Sequence, residues 1–194
     1  AVAAIVLGFA GGAVLLGVSM RRGGRGFLPA AVRTYLSFFR GTPLLVQLLM
    51  LFYLPSAYGI NLPPLIVAIA ALGLNSAAFQ CEILRAGLVA VPVGQIEAAA
   101  SFGILPARIF RHVQLPQLAR AVWPAVVSEA IDVVKGSAII SVISVADLAR
   151  GGRQIVSANF RPLEVYLSVG ACYLLMTGAV LLLGVWISRR MART

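Results

Sequence analysis

The longest uncharged run in the chain extends from Gly41 to Cys81. A helix needs only about 20 apolar residues to cross the hydrocarbon core of a bilayer, so this run has room for two such helices. Pro55, Gly59 and Pro63 interrupt it near the middle and predict a tight turn between the two. Hydrophobic residues make up 60% of the 194 residues and charged residues 11%, which excludes an ordinary water-soluble domain.

The remaining apolar segments have the length of single membrane spans. The predicted spans are 1–20, 31–54, 64–84, 117–142 and 162–187. An arginine cluster, not a small-residue cleavage site, follows the first run, and this order favours a true span over a signal peptide. A polar segment, 85–116, and a polar loop, 144–161, lie on either side of the fourth span. We therefore expect an all-α membrane protein of about five transmembrane helices in a single domain, 1–194.

The distribution of arginine predicts how the chain is oriented in the membrane. Lys and Arg are retained on the cytoplasmic side of a bilayer. One side would carry Arg21, Arg22, Arg25, Arg33, Arg40, Arg85, Arg108, Arg111, Arg120, Arg189, Arg190 and Arg193. The other would carry only Arg150, Arg153 and Arg161. The segment 85–116 and the C-terminus are therefore predicted to be cytoplasmic. Because the cations alternate with apolar runs, the net charge of +10 does not indicate nucleic-acid binding.

The polar segment before the fourth span has the pattern of a helix, a glycine and a second helix. Pro92 and Gly94 are predicted to end the preceding helix, and Glu97 is expected in the first turn of the next, where it complements the helix dipole. The alanines after it make a slim helix that permits close approach of another protein. Gly103 suits the left-handed residue that ends a helix, and Pro106 suits the first turn of the following one.

In the second short helix an apolar strip is predicted to pack against the membrane domain. Ile109, Phe110 and Val113 form this strip, while Arg108, Arg111 and His112 are expected to face water. Cys81 and Cys172 lie within apolar runs and are expected to act as small hydrophobic residues without a metal or disulfide role.

The joint spacing of this segment resembles the cytoplasmic signature loop of permease subunits of ABC importers. The family pattern is Glu-Ala-Ala, three residues, Gly, nine residues, an aliphatic residue, any residue and Leu-Pro. Here it is carried by Glu97-Ala98-Ala99, Gly103, Val113 and Leu115-Pro116. The polar amino acid branch, of histidine, glutamine or arginine type, is further matched by Arg40-Gly41-Thr42-Pro43-Leu44-Leu45-Val46-Gln47, Asn75-Ser76-Ala77-Ala78-Phe79, Glu82, Arg85, Gly94-Gln95 and Leu115-Pro116-Gln117. Phe79, Ala86 and Gly136-Ser137-Ala138 depart from that branch.

The resemblance implies a MetI-like type I permease fold and a non-catalytic subunit of an importer in a bacterial inner membrane. Such a subunit pairs with a second permease, identical or different, docks two cytoplasmic ATPase subunits and receives a polar amino acid from an external solute-binding protein. The residues implied to contact the ATPase are Gln95, Glu97, Ala98, Ala99 and Gly103. Since the sequence has no G-x-x-x-x-G-K-[ST] phosphate loop, ATP and Mg²⁺ are expected in the partner ATPase and no cofactor in this chain.

Polar residues within the predicted spans are candidates for the substrate path, because such residues are costly in a bilayer and tend to face a cavity or one another. Glu129, Asp132 and Lys135 form a stripe with Ser128 on the fourth span. They either bind the charged ends of an amino acid or pair to hold helices in register. Gln47 and Asn75 either contact solute or bridge helices. We expect Glu82 and Arg85 to form a structural pair and Trp186 to anchor the chain at the interface.

Other functions fit parts of this pattern. A permease of the same architecture could move methionine or a small anion, since the wider family shares the loop signature. A secondary transporter driven by an ion gradient would not need the helix-glycine-helix segment. A structural scaffold would not require the charges of the fourth span.

Overall fold

The computed structural model describes residues 1–20 and 26–191, and these residues are almost entirely helical. The α-helices are α1 (Val2–Met20), α2 (Phe27–Gly41), α3 (Leu44–Ala57), α4 (Pro64–Val89), α5 (Val93–Ser101), α6 (Pro106–Ile109), α7 (Leu115–Gly136), α8 (Leu148–Asn159) and α9 (Pro162–Met191). A π-helical segment, Phe110–Gln114, joins α6 to α7, and a 3₁₀ segment, Ser137–Ile143, follows α7. The arginines at positions 21, 22, 25 and 193 lie outside the described residues.

The most extensive helix contact joins α1 to α4 and includes glycines. A Cβ added at Gly8 would lie 2.6 Å from the Ser76 hydroxyl oxygen, and one at Gly12 would lie 2.6 Å from the Gln80 Cβ and 2.8 Å from the Cys81 amide nitrogen. Small residues let two helix backbones approach this closely, which is how helices associate in membranes without a hydrophobic driving force. The residue pairs advance together along both helices, so α1 and α4 run parallel.

The same reasoning orients the other helices. Gly87, near the end of α4, contacts Val122 near the start of α7. The indole nitrogen of Trp123 donates to the carbonyl oxygen of Gly184, near the end of α9, at 2.7 Å. Val32 and Leu36 of α2 share a buried cluster with Leu16, Leu84 and Leu118. The ends of α1, α4 and α9 and the starts of α2 and α7 therefore lie together, at what we call the arginine-rich end of the molecule.

The prediction that the second span is a single helix is wrong. Residues 31–54 fall on α2 and α3, which meet at an angle of 111°. Thr42 is extended, with φ −119° and ψ 148°, and Pro43 follows it. Proline lacks an amide hydrogen and disfavours helical geometry in the residue before it, so the helix ends here. The sequence Gly41-Thr42-Pro43 already indicated this break in the helix.

The prediction that residues 144–161 form a loop is also wrong, since most of these residues form helix α8. The Asp147 carboxylate accepts a hydrogen bond from the Arg150 amide at 2.9 Å and caps the first turn of this helix. In the fourth predicted span, 117–142, the α-helix gives way to the 3₁₀ segment at Ser137, and left-handed Ser144 ends that segment.

By length and apolar composition, α1, α4 and α9 could each cross a membrane, and the bent pair of α2 and α3 adds a fourth candidate. These helices occupy the positions predicted for spans one, three, five and two. The helix at the position of the fourth predicted span, α7, has 22 residues and is long enough, but it carries Arg120, Glu129, Asp132 and Lys135. It can cross a bilayer only if its charged face is kept away from lipid.

Replacement of Gly12 by alanine is expected to destabilise the protein. The added Cβ would collide with backbone and side-chain atoms of α4 and force the two helices apart, an overpacking cost of about 1–3 kcal/mol. Gly17→Ala is the matched control on the same helix, because a Cβ added at Gly17 would meet nothing within 4 Å. Unfolding of both variants in detergent would test this, and equal stability would contradict the close packing.

Candidate functional site

The helix that carries the Glu-Ala-Ala sequence, α5, has a complete C-terminal cap. Gly103 adopts φ +72°, in the left-handed region. Its amide donates to the Ala100 carbonyl oxygen at 2.9 Å, and the Ile104 amide donates to the Ala99 carbonyl oxygen at 3.3 Å. This is the Schellman arrangement, in which a left-handed glycine lets two orphan carbonyls be satisfied. The helix–glycine–helix geometry expected from the sequence is therefore present.

None of the residues of α5 is buried. Gln95, Glu97 and Ala98 are exposed and Ala99 is half-buried. Large apolar side chains around them are exposed to solvent. Phe102 is 85% exposed, and Val93 and Leu105 are also exposed. Large apolar side chains exposed around one helix typically mark a protein contact.

One side-chain bond links α5 to α7. The Gln117 amide nitrogen donates to the Gln95 side-chain oxygen at 2.7 Å and to the Val113 carbonyl oxygen at 3.0 Å. The backbone supplies a second link, because α6, the π-helical segment and α7 follow one another without a break. π-Helical segments often occur at functional sites. Helix α5 is therefore joined to α7 both by a side-chain hydrogen bond and through the backbone.

Three details of this segment differ from the sequence-based expectation. The helix begins at Val93, so Gly94 lies inside it and Glu97 lies in its second turn and not its first. Pro92 occupies the residue before the helix. In the predicted apolar strip Ile109 is buried and Val113 is half-buried, but Phe110 is exposed.

Gln47 and Asn75 lie together at the bend between α2 and α3. The Gln47 side-chain nitrogen donates to the carbonyl oxygens of Phe39 and Thr42 and to the Thr42 hydroxyl, each at 2.9 Å. The Asn75 side-chain nitrogen donates to the Phe39 carbonyl oxygen at 3.1 Å and to the Gln47 side-chain oxygen at 3.0 Å. Gln47 is only 1% exposed. Both amides therefore satisfy backbone released at the break and join it to α4.

The charged residues of α7 form a separate group. Lys135 and Asp132 are paired at 2.6 Å, one helical turn apart, and their side chains are 58% and 63% exposed. Glu129 is half-buried and Ser128 is exposed. The hydrogen bonds of Gln47 and Asn75 go to α2, to the bend and to each other, and the ion pair of α7 stays within its own helix. The structure thus divides the five predicted path residues into a pair at the bend, an exposed ion pair on α7 and the half-buried Glu129.

Two residues of these networks were quoted from the sequence only within family motifs and not as site residues. The Thr42 hydroxyl donates to the Phe38 carbonyl oxygen at 2.7 Å and accepts a hydrogen bond from Gln47. The position of Thr42 before Pro43 was the available signal. Gln117 supplies the bond to α5, and its position after Leu115-Pro116 was the available signal.

Comparisons with known proteins agree with one another. Residues 13–193 match the family described as binding-protein-dependent transport system inner membrane component. The octopine transport system permease protein OccM of Rhizobium meliloti is 37% identical, over 81% of this chain and 68% of its own length. The arginine transport system permease protein ArtQ of Bacillus subtilis is 36% identical, over 81% of this chain and 72% of its own length. The crystal structure of an amino acid ABC transporter with histidines superposes with a TM-score of 0.89 and 37% identity, over 97% of this chain and 87% of that chain.

Substitution of Gln47 or Asn75 by leucine is expected to destabilise the protein. Gln47→Leu removes the side-chain donor to the Thr42 carbonyl oxygen, and Asn75→Leu removes the donor to the Gln47 side-chain oxygen. An unsatisfied buried polar group costs about 1–3 kcal/mol. Because the two amides share a bond and also share the Phe39 acceptor, the stability losses of the single variants should not add up to that of the double variant. Unfolding of the three variants in detergent measures this coupling, and strict additivity would contradict the network.

Proposed function

The chain belongs to the family of binding-protein-dependent transport system inner membrane components, and from this membership we propose that it is the membrane-spanning subunit of an ATP-driven importer of polar amino acids. The main support for this proposal is helix α5, which is exposed, rigidly capped and located at the arginine-rich end. The relatives named above are permease proteins of an octopine and an arginine transport system.

In this proposal α5 is the contact for a cytoplasmic ATPase subunit. Gln95, Glu97, Ala98 and Ala99 supply a slim face that fits a groove, and Gly103 holds the angle between α5 and α6. The apolar side chains around α5 would be covered by the same partner. The arginine-rich end is then cytoplasmic, as the retention of Lys and Arg on that side requires.

Coupling follows from the two links between α5 and α7. Two ATPase subunits, which bind ATP and Mg²⁺, would move α5 of each permease subunit as they close. The Gln95–Gln117 bond and the continuous helical path from α6 would transmit that movement to α7. Rigid-body rotation of packed helices would then open the path to one side of the membrane or the other. This chain would perform no covalent chemistry.

The open charged face of α7 supports a substrate path at the contact with a second permease subunit, identical or different. Asp132 and Lys135 cannot face lipid without a large cost, so water or protein must cover them. Their pair is neutral without solute, and the amino and carboxylate groups of an amino acid would interact with the same two charges and with Glu129. Gln47 and Asn75 would support the path indirectly by fixing the bend. An external solute-binding protein would deliver solute at the opposite end.

Replacement of Gly103 by proline is expected to uncouple transport from ATP hydrolysis. Proline fixes φ near −65° and removes the amide that donates to Ala100, so the cap and the angle after α5 would be lost. Gly103→Asn is the control, since asparagine tolerates the left-handed region best among residues with a side chain. Uptake of labelled arginine, glutamine and histidine and ATP hydrolysis would be measured in proteoliposomes containing the full complex.

In that assay the proline variant should insert normally and hydrolyse ATP without driving uptake, while the asparagine variant should retain most uptake. Normal transport by Gly103→Pro would refute the coupling role of α5. Uptake that persists without ATP and follows an ion gradient would instead indicate a secondary transporter, and uptake of methionine or a small anion alone would indicate a different substrate class.

Replacement of Glu129 by glutamine is expected to weaken solute binding. Hydrogen bonds to a charged group contribute about 1.5–3 kcal/mol, so the KM for uptake should rise about tenfold or more. Glu164→Gln is the matched control, because Glu164 lies at the start of α9, away from the charged face of α7. Unchanged KM and substrate range in Glu129→Gln would remove this residue from the path.

A further inference from the structure

One face of α4 is exposed between the residues that contact α2 and those that contact α7. Phe79 and Ala86 are exposed on this face. Glu82 lies to one side of them and pairs with Arg40 of α2, and Gly87 lies to the other side and packs against α7. A helix turns by about 100° per residue, which places Phe79 and Ala86 between these two contacts. They therefore form the floor of a cleft that has α2 on one wall and α7 on the other.

The cleft is closed at the end away from the arginine-rich end. A Cβ added at Gly136, the last residue of α7, would lie 3.3 Å from the side chain of Leu44 and 3.8 Å from that of Leu72. The start of α3, the middle of α4 and the end of α7 therefore meet there. Asp132 lies one turn before Gly136 on α7, so the charged residues of α7 lie near this closed end. From there the cleft runs toward the arginine-rich end.

The side chain of Arg40 lies across the floor of the cleft. Helix α2 starts at Phe27, and Arg40 is its second-last residue, about 20 Å along the helix from the arginine-rich end. The guanidinium lies 6.0 Å from the centre of the Phe79 ring and 3.5 Å from the Glu82 carboxylate. The Arg40 side chain is 45% exposed. A charged group at this depth is costly beside lipid, so the space next to Arg40 must hold water or a polar ligand.

The charges around Arg40 leave an excess of positive charge. The Glu82 carboxylate is shared between Arg40 at 3.5 Å and Arg85 at 3.4 Å. Both distances exceed the length of about 2.7–2.9 Å that is typical of a charge-assisted hydrogen bond. The pair of Lys135 and Asp132, by contrast, is close at 2.6 Å. Within the described part of the chain the Arg40 guanidinium forms no hydrogen bond, so its donors are available to a ligand.

A guanidinium group with available donors is suited to a carboxylate, because its N–H groups match the two carboxylate oxygens. We propose that Arg40 binds the carboxylate of the transported amino acid, at a second solute position between the charged residues of α7 and the arginine-rich end. Glu82 stays paired with Arg85 when Arg40 turns to the solute. This inference rests on the proposed transport function and adds to it a requirement for a free carboxylate in the solute.

The test begins with ATP-driven uptake of labelled arginine, glutamine and histidine by the full complex in proteoliposomes. If none of the three is taken up, the proposed function fails and this inference fails with it. For an amino acid that is taken up, calorimetry then measures the binding of that amino acid and of its carboxamide. The sample is the permease–ATPase complex in nanodiscs without the solute-binding protein, so that only sites in the complex are measured.

The wild-type complex should bind the amino acid about tenfold or more tightly than the carboxamide, as expected for hydrogen bonds to a charged group. Arg40→Gln should weaken binding of the amino acid by this factor and leave binding of the carboxamide unchanged. Arg40→Lys should keep part of the preference. Arg33→Gln is the control, because Arg33 is an exposed arginine two turns earlier on the same face of α2, and it should change neither affinity.

Glu82→Gln separates a binding role of Arg40 from a purely structural one. Arg40→Gln and Glu82→Gln break the same ion pair, so a contact that only ties α2 to α4 would make both changes lower binding alike. If Arg40 binds solute, Glu82→Gln removes a competing carboxylate. It should then strengthen binding of the amino acid about twofold to fivefold, which is the contribution of a partly exposed ion pair.

Three results would overturn this inference while uptake by the full complex leaves the proposed function in place. The first is equal affinity of the wild-type complex for the amino acid and its carboxamide, or no binding of either. The second is an equal loss of binding in Arg40→Gln and Glu82→Gln. The third is a preference for the carboxylate that survives Arg40→Gln and disappears in Lys135→Gln, which would assign the carboxylate to α7 alone.

Discussion

A bilayer supplies no hydrogen-bond partners to a bent helix, so backbone groups released at a bend must be satisfied inside the protein. The bend between α2 and α3 depends on this constraint more than any other part of the structure. Thr42, Gln47 and Asn75 supply the missing donors, and Asn75 does so from α4. The sharp turn is therefore tied to the central helix of the bundle, and the direction of α3 is set by a few side-chain amides.

The same constraint governs the placement of charge. On the open face of α7, Asp132 and Lys135 neutralise each other, and near the arginine-rich end Glu82 lies between Arg40 and Arg85. A charged face on an otherwise apolar helix needs water or protein beside it. Close packing through glycines makes α1 and α4 a rigid pair within the chain.

The segment between α4 and α7 differs from the bundle in both exposure and composition. Its short helix has no buried residue, yet its end is fully capped and its side is bonded to α7. Exposure makes the segment available to a partner, and the cap and bond make it stiff. The proposed coupling role of this segment rests on both properties.

Hydropathy and spacing alone determined the class of the protein, the positions of α1, α4 and α9 and the left-handed turn at Gly103, because apolar length and glycine conformation are local properties. The family signature likewise lies within one continuous segment. The break at Thr42, the helix α8, the second-turn position of Glu97 and the exposure of Phe110 were decided by tertiary structure or by backbone geometry that hydropathy does not report. In the sequence, Gln47 and Asn75 were candidates both for contact with solute and for bridging helices. Only the folded chain brought them to one carbonyl oxygen, since hydrogen bonding between residues far apart in sequence depends on how the helices pack.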